Sequence, residues 1–291
     1  MNCVVKASIV HAIHNKWQKM KTKSFRILVS AIFLAMFMVV SAKLSAKAAP
    51  AALPVNFVLI SGGEFTMGSP VDEAKRLKNE TRHQVRLSSF YISKYEVTVA
   101  EFRRFVVASG YKTDGDWRCV VIGEVRPKRE KNHPVLNVSW NDAVAYCKWL
   151  STKTGKRFRL PTEAEWEYAC RAGSSTPFNT GDNLTNNQAN YGLYREKTVA
   201  VNSFAPNAWG LYNMHGNAWE WCSDWFSETY YDECKAEGTV INPAGPASGS
   251  QRVHRGGGWD YDAENCRSAY RSSRVPDDRD IDYGFRLVLV P

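Results

Sequence analysis

Between residues 174 and 255 the chain has little hydrophobic periodicity, yet it is rich in Asn, Gly, Pro, Trp and Tyr. Loops of that length are uncommon in a compact domain unless a disulfide, a metal or a function holds them. The stretch reads as long ordered loops, so regular structure has to come from the segments on either side.

Three of those segments carry helix signals. Thr98 with Glu101 forms a capping box, and Val99, Phe102, Phe105 and Val106 then share one face up to Gly110. Ser139 opens a second helix with Ala143, Val144, Cys147 and Leu150 as its apolar stripe and Gly155 as its stop. A third begins at Pro161-Thr162, where Glu165 completes another box, and buries Trp166, Ala169 and Cys170 before Gly173. Strand signals are short: residues 57–60, 65–67, 84–87 with 90–92, and 285–290. No internal repeat or low-complexity linker interrupts this part, so 57–291 reads as one mixed α/β domain.

The first 48 residues differ in kind. Lys21, Lys23 and Arg26 precede an apolar run from Ile27 to Ala42, and Ala46-Lys47-Ala48 has the small-x-small pattern of a cleavage site. That is the layout of a secretory signal peptide, with Met20 a more ordinary start than Met1; an uncleaved anchor is the competing reading of the run's length. Residues 49–56 would be a short linker. Removing the leader takes away eight Lys and Arg and no acid, so the formal net charge falls from +9 to +1. The basic character belongs to the export signal, and nothing basic remains for nucleic acid. The expected compartment is periplasmic or extracellular, with membrane contact only through the leader.

Six cysteines follow the leader: Cys119, Cys147, Cys170, Cys222, Cys234 and Cys266. An even number in an exported chain permits disulfides, while the absence of any CxxC spacing argues against a zinc ribbon or a thioredoxin-type site. Cys266 lies in "GGGWDYDAENCRSAYR" (256–271) and could be a catalytic thiol, a metal ligand or half of a disulfide.

Seven phrases now stand in order: "ISGGEFTMGS" (60–69), "YISKYEVTVAEF" (91–102), "HPVLNVSWNDAVAYCKWLS" (133–151), "RLPTEAEWEYACRAG" (159–173), "GLYNMHGNAWEWCSDW" (210–225), "RVHRGGGW" (252–259) and "DYGFRLV" (282–288). Together they resemble the formylglycine-generating enzyme, or sulfatase-modifying factor, family, whose relatives include ergothioneine-biosynthesis and pyoverdine-maturation enzymes. The resemblance spans about 55–291. It implies a C-type-lectin-like α+β fold with short strands, about three helices and long ordered loops. It also implies copper-dependent oxidation through two cysteines that follow the double glycine.

Two thiolates suit copper(I). Counted forward from Gly256-Gly257, the first of those positions holds Tyr261 and the second Cys266; counted back from "GFR", the second falls in a gap. In either register the pair is incomplete, so the resemblance does not carry copper over. It places Cys266 beside a structural disulfide position whose partner is Cys170. Cys147 matches another such position, but Leu287 stands where its partner would be. Trp219 matches an active-site tryptophan, which leaves Trp219, Tyr261 and Cys266 as catalytic candidates.

The family's calcium loop maps onto Asn213, the carbonyls of Gly216 and Ala218, and Glu220, with a second site beginning at Asn190 and the Tyr191 carbonyl. Hard oxygen donors on a tight glycine turn suit a structural calcium. Asp277, Asp278, Asp280 and Asp282 lack the glycine and terminal Glu of a calcium loop and read as a solvated turn, while His133, His215 and His254 are scattered singly. The expected function is an altered-site oxidative enzyme acting on a peptide, protein or small molecule outside the cytoplasm. The alternatives are a non-catalytic calcium-stabilised lectin-like binding module and genuine formylglycine generation, against which the missing cysteine counts.

Overall fold

The computed structural model describes residues 56–118 and 131–291. The leader, its apolar run and Cys119 lie outside the described residues. The three expected helices form where their caps are. In α1 (Val99–Ser109), α2 (Trp140–Thr154) and α3 (Glu163–Arg171), the residue before the helix closes a full capping box with Glu101, Asp142 and Glu165 respectively. Gly110 and Gly155 end α1 and α2 in the left-handed conformation. Among the described residues no helix is long and apolar enough to cross a membrane.

Eleven short strands make three sheets among the described residues. β1 (Phe57–Ile60), β4 (Phe90–Ser93), β11 (Val288–Leu289) and β5 (Phe158–Arg159) lie in that order, which joins the first and last strands of the domain through β4. β2 (Gly63–Met67), β3 (His83–Leu87) and β7 (Thr239–Ile241) make the second sheet, with His83, Val85 and Leu87 turned inward from β3. The third runs β10 (Tyr283–Gly284), β6 (Trp219–Trp225), β8 (Arg252–Arg255), β9 (Ser272–Arg274), and it builds the site described below.

The stretch 174–255 therefore contains more structure than its lack of periodicity predicts: β6, β7, β8 and a fourth helix, α4 (Tyr230–Glu237). β6 is hidden because its first four residues are buried on both faces between β8 and β10, so no alternation marks it. Conversely, only Val288–Leu289 of the expected 285–290 strand is paired.

Two aromatic-rich cores flank these sheets. Phe102, Phe105, Tyr146 and Phe285 interlock between α1, α2 and the C-terminal segment, with ring centroids 5.4 to 6.4 Å apart. Trp166 and Ala169 of α3 pack with Met67, Ile92 and Val253 in the other. Buried ion pairs stitch the sheets and loops to α3 and to the 68–80 segment: Arg255 and Arg171 with Glu167, Arg271 with Glu163, and Arg267 with Glu73 and Glu80. Desolvated charges are tolerated because each meets a partner.

Candidate active site around Trp219

Strand geometry sorts β6 into two faces. Glu220 and Cys222 point one way, and Trp219 and Trp221 point the other. On the first face the Glu220 carboxylate accepts from Arg286 Nε at 2.5 Å and Nη2 at 2.6 Å, and from Trp166 Nε1 at 2.8 Å. Both partners of that ion pair are fully buried.

On the second face Trp219 meets Tyr261 edge-on at 5.3 Å, His254 at 4.7 Å and Tyr270 at 5.9 Å. His254, opposite Trp221 on β8, also packs against Tyr283 at 4.9 Å. Among the described residues neither His254 nitrogen nor Trp219 Nε1 has a hydrogen-bond partner. Burial, with Arg274 adding to it, lowers the His254 pKa to about 3, so the ring is neutral at ordinary pH.

Asp282 borders this box through its backbone, whose carbonyl accepts from Trp219 N at 2.8 Å. A Cβ on Gly258 would lie 2.6 Å from Asp282 Oδ2 and 3.0 Å from Asp260 Oδ1, so glycine is required between two acids whose facing oxygens lack partners. Burial, reinforced by Asp260 and Asp280, pushes the Asp282 carboxyl up to about 8, which keeps it protonated near neutrality. Asp282 is thus buried and not solvated, because its carbonyl bonds Trp219 N just ahead of β10 and draws it inside. Asp277 and Asp278 do stay at the surface, bonded to Asn141 and Arg274.

Of the three catalytic candidates, Trp219 and Tyr261 come together and Cys266 does not. A short 3-10 turn, Ala263–Cys266, rolls the thiol under the loop into a separate cluster with Phe178, Leu184, Ala189 and Tyr191. Burial raises its pKa, and a fully buried neutral thiol is a poor nucleophile. Cys266 does approach Cys170 through His215, whose Nδ1 hydrogen-bonds the Cys266 carbonyl at 2.7 Å and whose ring nitrogens stand 3.8 and 3.9 Å from Cys170 Sγ. Both cysteines are free thiols here, as are Cys147, Cys222 and Cys234, so the expected Cys170–Cys266 bond is not formed in this structure.

The metal candidates divide in the same way. Asn190 and the Asn213 turn are brought together by a bridge between Asn190 and Gly216 and by Asn190 Nδ2 donating to Asn217 Oδ1 at 3.2 Å. The buried Oδ1 atoms of Asn190 and Asn213 have no partner among the described residues, as oxygen ligands of a cation would require. The rest of the set does not fit calcium. Glu220 spends both carboxylate oxygens on Arg286 and Trp166, and the Gly216 carbonyl accepts from Ala218 N at 3.0 Å. Tyr191 contributes its ring to the Cys266 cluster, and its carbonyl accepts from Tyr194 N. The acid beside Asn213 is instead Glu96, a residue sequence reasoning missed; it accepts from Asn213 Nδ2 at 3.1 Å and Asn217 Nδ2 at 2.8 Å. Burial raises Glu96 to about 7, with Arg286 opposing the rise. Nor do the residues fit a two-thiolate copper site. Among the described residues no three His, Cys, Asp or Glu side chains converge to hold a metal.

Comparison with known proteins assigns the lineage. The sulfatase-modifying factor enzyme 1-like domain matches residues 43–290. The chain belongs to that family. It is 38% identical to the formylglycine-generating enzyme of Streptomyces coelicolor, over 83% of this chain and 92% of that protein. It is 35% identical to the formylglycine-generating enzyme of Bos taurus, over 80% of this chain and 74% of that protein. The structure of PvdO from Pseudomonas aeruginosa superposes with a TM-score of 0.71 at 35% identity, covering 81% of this chain and 94% of that one. The mixed α/β architecture is that of the family. Within it, the loop after Gly256-Gly257 presents Tyr261 to Trp219 and turns its single cysteine away.

Proposed function

We propose that the protein is an altered-site oxidative enzyme of the sulfatase-modifying factor family, exported and acting on a peptide, protein or small molecule. The observation that carries this reading is the Trp219–Tyr261–His254 box, where buried polar atoms stand without partners. Leaving such atoms unpaired costs stability, and their gathering beside Tyr261 supports a functional role over packing alone. The box offers an indole donor, a neutral imidazole, a half-buried phenol and, at its border, a carboxylic acid; it has no thiolate for the family's copper chemistry.

The test is oxygen uptake by the purified protein with pooled exported peptides and metabolites of the producing cells, compared with Trp219→Phe and Tyr261→Phe. Turnover that both variants reduce supports the reading. A second reading, a binding module without catalysis, is favoured by the buried and neutral Cys266. It predicts saturable capture of a partner with no oxygen uptake. Genuine formylglycine generation would require turnover that disappears in Cys266→Ser.

A further inference from the structure

Away from the Trp219 box lies a cavity of about 520 Å³ that shares no residue with it. Its walls come from β2, from the end of α3 with the loop that follows, and from Trp209. Three half-buried aromatic rings shape it. Phe65 and Tyr168 lie 4.9 Å apart, and Tyr168 and Trp209 meet at 4.7 Å with their planes 69° apart. Tyr168 is the one residue of α3 that is not buried, so the helix turns a single ring outward here. The two faces at Tyr168 and Trp209 make a corner that can grip a flat ring from two sides.

The polar lining is specific as well. Thr66, Ser174 and Ser175 bring hydroxyls, and Ser174 Oγ is buried without a hydrogen-bond partner. Arg82 stands exposed at the rim and makes no hydrogen bond or ion pair among the described residues. The acid that also lines the cavity, Glu64, is already paired with Arg86, and Arg171 is held by Glu167. One positive charge is therefore left over.

We propose that this corner binds a small acidic saccharide. The pyranose ring would stack on Trp209 and Tyr168, its hydroxyls would meet Thr66 and Ser175, and its carboxylate would reach Arg82. Three features select this ligand class. The volume suits one or two rings and not an extended chain. The hydroxyl lining of Thr66 and Ser175 favours a hydroxylated ring over a plain aromatic one. The uncompensated guanidinium calls for an anion. The inference stands whether or not the Trp219 box is catalytic.

Calorimetric titration of the full mature protein with methyl glucuronide, methyl glucoside and benzoate tests it. The glucuronide is expected to bind best. Arg82→Ala should weaken it by about tenfold, to the level of the neutral glucoside, with Arg82→Lys recovering part of the loss. Trp209→Ala should weaken both sugars by about tenfold or more. Neither variant should alter any turnover at the Trp219 box, and their melting temperatures identify a folding defect. No heat with either sugar at millimolar concentration overturns the proposal. Equal binding of the two sugars, preference for benzoate, or a glucuronide affinity indifferent to Arg82→Ala in a folded protein does so as well.

Discussion

The two faces of β6 are built from neighbouring residues and treat polarity in opposite ways. Glu220 faces Arg286 and Trp166, and both of its carboxylate oxygens are engaged. One residue earlier and one face over, Trp219 Nε1 and both nitrogens of His254 engage nothing. Both faces are buried to the same degree, so exposure does not explain the contrast. The first face holds the sheet to the C-terminal segment and to α3, and the second keeps donors and acceptors in reserve beside Tyr261.

Breaking the satisfied face should have the largest effect. Glu220→Ala leaves the buried Arg286 guanidinium with backbone carbonyls but without its carboxylate, and we expect a loss of about 3–5 kcal/mol in urea denaturation. That cost should be the same with calcium and with chelator. A calcium-dependent gain in stability that vanishes in Glu220→Gln would show Glu220 leaving Arg286 for the ion, and would reverse the assignment made here.

The unsatisfied face should respond in the other direction. His254→Phe replaces a ring with no hydrogen bonds by an apolar ring among Trp219, Trp221 and Tyr283. Stability should stay within about 1 kcal/mol of the parent or rise, because no polar partner is orphaned. A loss comparable to that of Glu220→Ala would mean His254 has a bonding role.

A smaller effect separates the acids. The Asp282 carboxyl is raised by burial from its ordinary value to about 8. Between those two values the folded state holds a proton that the unfolded state has released, so this group's contribution is present in acid and lost as pH rises toward 8. Asp282→Asn should therefore flatten the decline in melting temperature between about pH 5 and 8. An unchanged profile would place the Asp282 proton elsewhere.

Much of the frame was legible because it depends on local chemistry. Thr98, Ser139 and Thr162 each carry their own box partner three residues on, and all three helices start there. The fourth helix had no such mark: Thr229 makes no side-chain capping bond, and only Tyr231 and Cys234 turn inward. Trp219 was readable from the family phrase that holds it, and Tyr261 by counting from Gly256-Gly257. His254, Glu96 and Asp282 lie inside such phrases too, yet their roles were hidden, since these come from chain segments far away in sequence. The pairing of Glu220 with Arg286 spans 66 residues and no spacing rule anticipates it. The same distance hides the Glu220–Arg286 pair and the burial of Asp282 from any local pattern.

The loop after Gly256-Gly257 has a single cysteine, which is turned away, and presents an aromatic box in place of a two-thiol copper centre. Anaerobic titration of the reduced protein with copper(I) against a competing chelator tests this. The account predicts no stoichiometric copper retained by the native protein, and the same result for Cys266→Ser. One tightly held copper per chain, lost in Cys266→Ser, would contradict it.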